Sequence, residues 1–153
     1  MKPITKTKVE LARELGRSMA ELRIYMRQFA QVKIKDQGIN MTFEMIEVMS
    51  ILWKKDGINQ QEIADKTLKD KSSMTYLIDN LVKRDMVSRV EDDNDRRNKL
   101  IYLTPAGLDL EQRLKPWIDE VYETATVGID IADLKKGLAI LDQMIINIKK
   151  EQI

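Results

Sequence analysis

The chain has 153 residues, 43% hydrophobic and 33% charged, enough to bury a core without a structural metal or disulfide. It holds neither cysteine nor histidine, which excludes thiol-based sensing and leaves carboxylates alone to build a transition-metal site, so no metal or other cofactor is expected. With 26 Lys and Arg against 25 Asp and Glu, a net charge of +1 offers no global attraction to polyanions, and any nucleic-acid contact must come from local segregation of basic residues.

No long apolar run marks a signal peptide or membrane span and the amino terminus is polar, so a cytoplasmic protein without membrane contact is expected. In the first helical segment, Leu15, Met19, Leu22, Met26 and Phe29 alternate by four and three, a narrow seam that wants a partner helix. Thr42 to Trp53 forms the next helix, with Met45, Ile46, Met49, Ile51 and Leu52 as its apolar side. The methionines at 19, 26, 41, 45 and 49 would serve either as core or as the lining of a ligand pocket, and core is the commoner use of methionine at helical spacing.

Asn59 caps a short helix that ends near Lys66, with Glu62 placed to complete a capping box and Ile63 and Ala64 facing inward. Asp70 caps a second, whose stripe of Met74, Leu77, Ile78, Leu81 and Val82 is core. Its opposite face carries Ser72, Tyr76, Asp79 and Lys83, with Lys71, Ser73 and Thr75 beside it near the N-terminus. Hydroxyls serve base edges or phosphates, lysine neutralises phosphate, and a helix N-terminus adds unsatisfied N–H groups. Lys66 and Lys69 crowd the turn before it.

Val87–Glu91 and Lys99–Leu103 predict two strands, with Leu100 and Tyr102 alternating against Lys99, Ile101 and Leu103. Between them Asp92, Asp93, Asn94, Asp95, Arg96, Arg97 and Asn98 form a solvated tip. The calcium-loop spacing fails at Arg96, and no suitable glycine or terminal glutamate follows. Helix, turn, helix and hairpin together describe a winged helix-turn-helix, a fold that binds DNA.

Thr104-Pro105 pairs an N-cap with proline at the first helical position and starts the next helix abruptly. Leu110, Leu114, Trp117, Ile118, Val121 and Tyr122 line it, and Pro116 should bend it. In the last helix, capped by Asp130, Ile131, Leu134, Leu138, Leu141, Ile145 and Ile148 form a second narrow seam.

The wing residues Asp95-Arg96-Arg97, followed by Leu103-Thr104-Pro105-Ala106-Gly107 behind a helix-turn-helix, resemble the MarR family of bacterial transcription regulators over most of the chain. The resemblance implies a mainly α fold with a small β-hairpin wing. It divides the chain into an N-terminal dimerisation helix (1–34), a DNA-binding winged helix (35–106) and C-terminal dimerisation helices (107–153). Two departures stand out: Arg84-Asp85-Met86 replaces the usual Arg-Gly-Leu, and Tyr76 stands where an arginine often contacts a base, which suggests a different operator.

What the resemblance implies is a homodimer on double-stranded DNA, reading a pseudo-palindromic operator as a ligand-responsive repressor. Arg97 matches the arginine that enters the minor groove and Asp95 the acid that orients it, with Arg96 at the variable position between. DNA contacts are expected from Lys69, Lys71, Ser72, Ser73, Thr75, Tyr76, Lys83, Asp95, Arg96 and Arg97. Dimer contacts are expected from Leu15, Met19, Leu22, Leu134, Leu138, Leu141, Ile145 and Ile148. In relatives a small-molecule effector lies between dimer helices and winged helix, making Tyr25, Met45 and Trp53 loose candidates. An enzyme is disfavoured because no phosphate loop, nucleophile elbow or grouped catalytic set is present. The stronger rival is a winged-helix module that contacts proteins without specific DNA binding.

Overall fold

The computed structural model describes residues 5–152. The start of the polar amino terminus, residues 1–4, and residue 153 lie outside the described residues. The elements run α1 (Lys8–Asp36), α2 (Phe43–Lys54), β1 (Ile58–Asn59), α3 (Gln60–Thr67), α4 (Lys71–Lys83), β2 (Val87–Glu91), β3 (Lys99–Leu103), α5 (Pro105–Ala125) and α6 (Ile131–Glu151). The fold is mainly helical, with one antiparallel sheet of order β1-β3-β2. Both strands of the wing have the predicted bounds.

Caps explain why the helices begin where they do. Thr7 and Glu10 exchange side-chain and backbone bonds in a complete capping box at α1. Thr42 accepts from the Met45 N–H at α2, and Asn59 from the Gln61 N–H at α3. The box expected at α3 does not close: Glu62 instead pairs with Lys66 at 3.4 Å along the same helix. Asp130 occupies the N-cap position of α6, but its side chain makes no capping bond.

Met41, Met45, Val48, Met49, Leu52, Ile63, Met74, Ile78, Leu81, Ile101 and Leu114 are buried in one apolar cluster. Core is thus the role of Met41, Met45 and Met49, while Met19 and Met26 on α1 are half-buried. The α4 stripe is buried at Met74, Leu77, Ile78 and Leu81, but Val82 is exposed. Val82 lies at the rim of the stripe, where helix rotation carries it past the core. The chain forms two compact units, Met1–Asp119 and Glu120–Ile153, so α5 carries residues of both. Pro116 lies inside α5 without interrupting it.

The strand β1 has only two residues, pairing Ile58 with Ile101 and Asn59 with Leu100. On the other side of β3, Val87 faces Leu103 and Arg89 faces Ile101. Asp56 extends the β1 side by accepting the Leu103 N–H at 2.8 Å.

Helix α4 ends in a Schellman turn, with the Met86 N–H on the Leu81 carbonyl and the Asp85 N–H on that of Val82. This turn puts exposed Asp85 in the left-handed region at φ 56°, which an L-residue adopts at a cost and glycine adopts freely. Asp85→Gly should therefore raise stability by about 0.5 kcal/mol after glycine's larger unfolded-state entropy is subtracted, whereas Asp85→Val should lower it by about 1–2 kcal/mol. Urea unfolding midpoints measure both; equal shifts of one sign would contradict the strain assignment.

Candidate nucleic-acid interface

The turn between α3 and α4 is short because Leu68 takes a left-handed conformation at φ 54°, while the Lys69 N–H returns to the Ala64 carbonyl. Leu68 is 94% exposed, so packing does not hold this turn. Asp70 then accepts the Ser73 N–H at 2.7 Å and sets the first turn of α4. That backbone bond, helped by the Ser73 hydroxyl, holds the Asp70 carboxyl below its ordinary value.

Lys71, Ser72 and Ser73 are exposed in this first turn, and Tyr76 one turn later is 67% exposed. Lys83 is exposed at the far end of the same helix. Thr75 differs from its neighbours: its hydroxyl donates to the Lys71 carbonyl at 2.9 Å and accepts from Gln60 at 3.1 Å. Asp79 is tied to Arg89 of β2 at 2.7 Å. Lys69 lies 3.8 Å from Glu47, which also binds Arg23 of α1 at 2.7 Å. The outward side of α4 is therefore carried by Ser72, Tyr76 and Lys83 with Lys71 and Ser73, while Thr75 and Lys69 are engaged within the fold.

The wing tip is organised by aspartates acting on backbone. Asp92 accepts the Asn94 N–H at 2.9 Å, Asp95 accepts the Arg97 N–H at 3.0 Å, and the Asp92 N–H closes the loop on the Asn98 carbonyl. Asp95 thus places Arg97 through its main chain and not through its guanidinium. Lys99 neutralises Glu91 at 2.8 Å. Arg96 and Arg97 are exposed, and neither guanidinium has a partner among the described residues.

The three effector candidates do not share one groove. Tyr25 is exposed on α1 and lines an open groove of about 400 Å³ with Gln28, Phe29, Val32 and Lys33. Met45 is core. Trp53 is half-buried and donates its Nε1–H to the Gly107 carbonyl at 2.9 Å.

Three features escaped the sequence. Arg84 donates to the Asn40 carbonyl at 2.9 Å and to Asn80, tying α4 to the segment before α2. Gln60 and Arg89 bridge α3, α4 and β2. Arg89 carried a signal: it shares a strand face with buried Val87, and an inward charge needs a partner. Nothing in the sequence marks Gln60.

A short helix, a turn, an outward-facing second helix and a hairpin packed beside it define a winged helix-turn-helix. Residues 41–99 match the MarR family, and the winged helix they form is similar to that family's. Over 146 residues, the chain is 26% identical to the uncharacterised HTH-type transcriptional regulator YkoM of Bacillus subtilis, covering 92% of this chain and 89% of YkoM. It is 27% identical over 94 residues to the HTH-type transcriptional regulator SarZ of Staphylococcus haemolyticus, a match that covers 61% of this chain and 64% of SarZ. A MarR transcriptional regulator from Methanosarcina mazei superposes with a TM-score of 0.80 at 26% identity, covering 90% of this chain and 98% of that one.

The Asp70 cap predicts a pH dependence. Because the folded carboxyl titrates lower than the unfolded one, its contribution is complete above the ordinary carboxylate range and fades as pH falls through the lowered value. Asp70→Asn keeps an acceptor for the Ser73 N–H, so it should flatten this part of the acid decline in melting temperature. A parallel decline in both proteins would remove Asp70 as its source.

Proposed function

We propose that the chain is a sequence-specific DNA-binding transcription regulator, acting as a homodimer on a pseudo-palindromic operator and repressing until a small molecule binds. The observation that carries this reading is the pairing of an outward-facing α4, bearing Lys71, Ser72 and Tyr76, with a wing tip whose Arg96 and Arg97 have no intramolecular partner among the described residues. Unpartnered guanidiniums on a narrow hairpin suit the negative potential of a minor groove, and an exposed helix start suits phosphate. Resemblance to named transcriptional regulators supports the same role. No helix among the described residues is long and apolar enough to cross a membrane, and a cytoplasmic site of action follows from the proposed role.

Dimerisation is assigned to the exposed apolar positions of the terminal helices. Leu15 and Leu22 of α1 are exposed and Met19 half-buried; α6 has no buried residue, though Leu134, Leu138, Leu141, Ile145 and Ile148 recur along it. Apolar rows of this length in water mark an interface. Within this scheme residues 1–34 and 107–153 build the dimer and 35–106 read DNA. Tyr25, lining the α1 groove, is the most accessible of the effector candidates.

The test is salt-dependent binding of the purified protein to the duplex upstream of its own gene. A protein-contact module would bind no duplex in a salt-sensitive way. Arg97→Ala should weaken operator binding by about 1–3 kcal/mol per site. Lys71→Ala should lower affinity for all sequences and reduce the salt slope by roughly one unit, whereas Tyr76→Ala should change which operator variants are preferred. Exchanged outcomes for Lys71 and Tyr76 would mean that α4 is rotated in the groove.

Two recognition helices in successive major grooves must lie about 34–36 Å apart, a distance only a fixed dimer holds. Leu141→Glu with Ile145→Glu should leave the winged helix folded but abolish the dimer and tight operator binding. A protein that sediments as a monomer and still protects a two-half-site operator at wild-type concentration would contradict this scheme.

A further inference from the structure

We propose that Arg89, together with Gln60, is a positioning residue for DNA reading: it latches the recognition helix to the base of the wing and neutralises the carboxylate that α4 carries on its groove side. The proposal rests on the DNA-binding reading above. Its basis is a chain of side chains across three elements. The Arg89 Nη2–H donates to Asp79 Oδ1 at 2.7 Å and the Nε–H to Gln60 Oε1 at 3.2 Å. The Gln60 amide donates in turn to the Thr75 hydroxyl at 3.1 Å. Thr75 and Asp79 stand one turn apart on α4, so β2 and the start of α3 grip the helix at two successive levels.

Register explains why this arginine reaches inward. Arg89 faces Ile101 across the sheet, and directly opposed residues share a face. Ile101 is fully buried, so Arg89 lies on the side turned toward the helices and must find a carboxylate there.

The latch matters because the covalent connection is one-sided. Helix α4 and β2 are joined through Arg84, Asp85 and Met86 at the far end of the helix. Base contacts come from its opposite end, which the Leu68 turn ties to α3 and not to the wing, so the Arg89–Gln60 bridge is what sets Ser72 and Tyr76 relative to the wing. The charge matters as well. Asp79 shares the face of α4 that carries Ser72, Tyr76 and Lys83, where an uncompensated carboxylate repels phosphate and accepts from cytosine N4.

A pair of this exposure with a merely structural role would contribute little stability and no sequence preference. The two roles separate by variant. Arg89→Met removes the latch and bares the carboxylate. Asp79→Asn removes the charge and leaves an oxygen for Arg89. Arg89→Lys keeps the ion pair and loses the fork that holds Gln60.

The probe is a duplex enriched by the wild-type protein from a random-sequence pool, compared with a scrambled duplex, well below the melting temperature of every variant. Arg89→Met should lose at least tenfold in affinity for the enriched duplex and lower its ratio to the scrambled one. Asp79→Asn should stay within about threefold of wild type, and Arg89→Lys should fall between. Enrichment repeated with Arg89→Met should yield a different sequence. Equal losses for Arg89→Met and Asp79→Asn, or an unchanged ratio for Arg89→Met, would overturn the latch while leaving DNA binding in place. Failure of the wild-type protein to enrich any sequence would overturn the DNA-binding reading, and this proposal with it.

Discussion

The winged helix depends on how the Met86 carbonyl is enclosed. It accepts the Thr104 N–H at 3.1 Å, while the Thr104 hydroxyl donates to the Asp85 carbonyl and accepts from the Gly107 N–H. A Cβ at Gly107 would stand 2.1 Å from the Met86 oxygen, so only glycine allows this approach. One threonine thus closes the left-handed turn after α4 and caps α5, and Trp53 of α2 is bound to the same place through the Gly107 carbonyl. This gives the Leu-Thr-x-x-Gly pattern a physical meaning: threonine and glycine fix where α5 starts relative to the recognition helix and the wing.

Charge is the second constraint. A chain of net +1 presents a basic face to phosphate only if its acids near that face are occupied. Glu91 is bound by Lys99, Asp79 by Arg89, and Glu47 by Arg23 and Lys69. Asp70, Asp92 and Asp95 spend their oxygens on backbone N–H groups. Lys71, Lys83, Arg96 and Arg97 remain without an intramolecular partner among the described residues. Segregation therefore arises in part from pairing the acids among the basic residues, at the expense of Lys69 and Lys99; Asp93 at the wing tip is the exception, exposed and without a partner among the described residues.

The parts legible in the sequence were those governed by local physics. Periodicity and caps located α2, α4 and the wing, because an apolar stripe and a polar tip bury or expose themselves whatever surrounds them. The edge of the stripe was not local: Val82 fits the period, but only the packed neighbours decide that it stays in water. Strand β1 is two residues of pairing and carries no alternation to detect. The role of Thr75 also depended on the fold, since its hydroxyl is interchangeable in sequence with those of Ser72 and Ser73 until Gln60 arrives from another helix. For the outward rows of α1 and α6, the sequence showed the seam but not its occupant.

Both ends of the recognition helix are set by left-handed residues that are not glycine, Leu68 before it and Asp85 after it. Such turns are costly and persist where hydrogen bonds over-determine them; here the 6→1 bonds from Lys69 to Ala64 and from Met86 to Leu81 do so. A side chain at these positions also narrows the unfolded ensemble more than glycine would. With Arg84 bound to the Asn40 carbonyl, the helix cannot tilt at either end without disturbing its neighbours. Any motion of α4 must therefore carry the start of α2 and the base of the wing with it, so the two helices and the wing are held as one body.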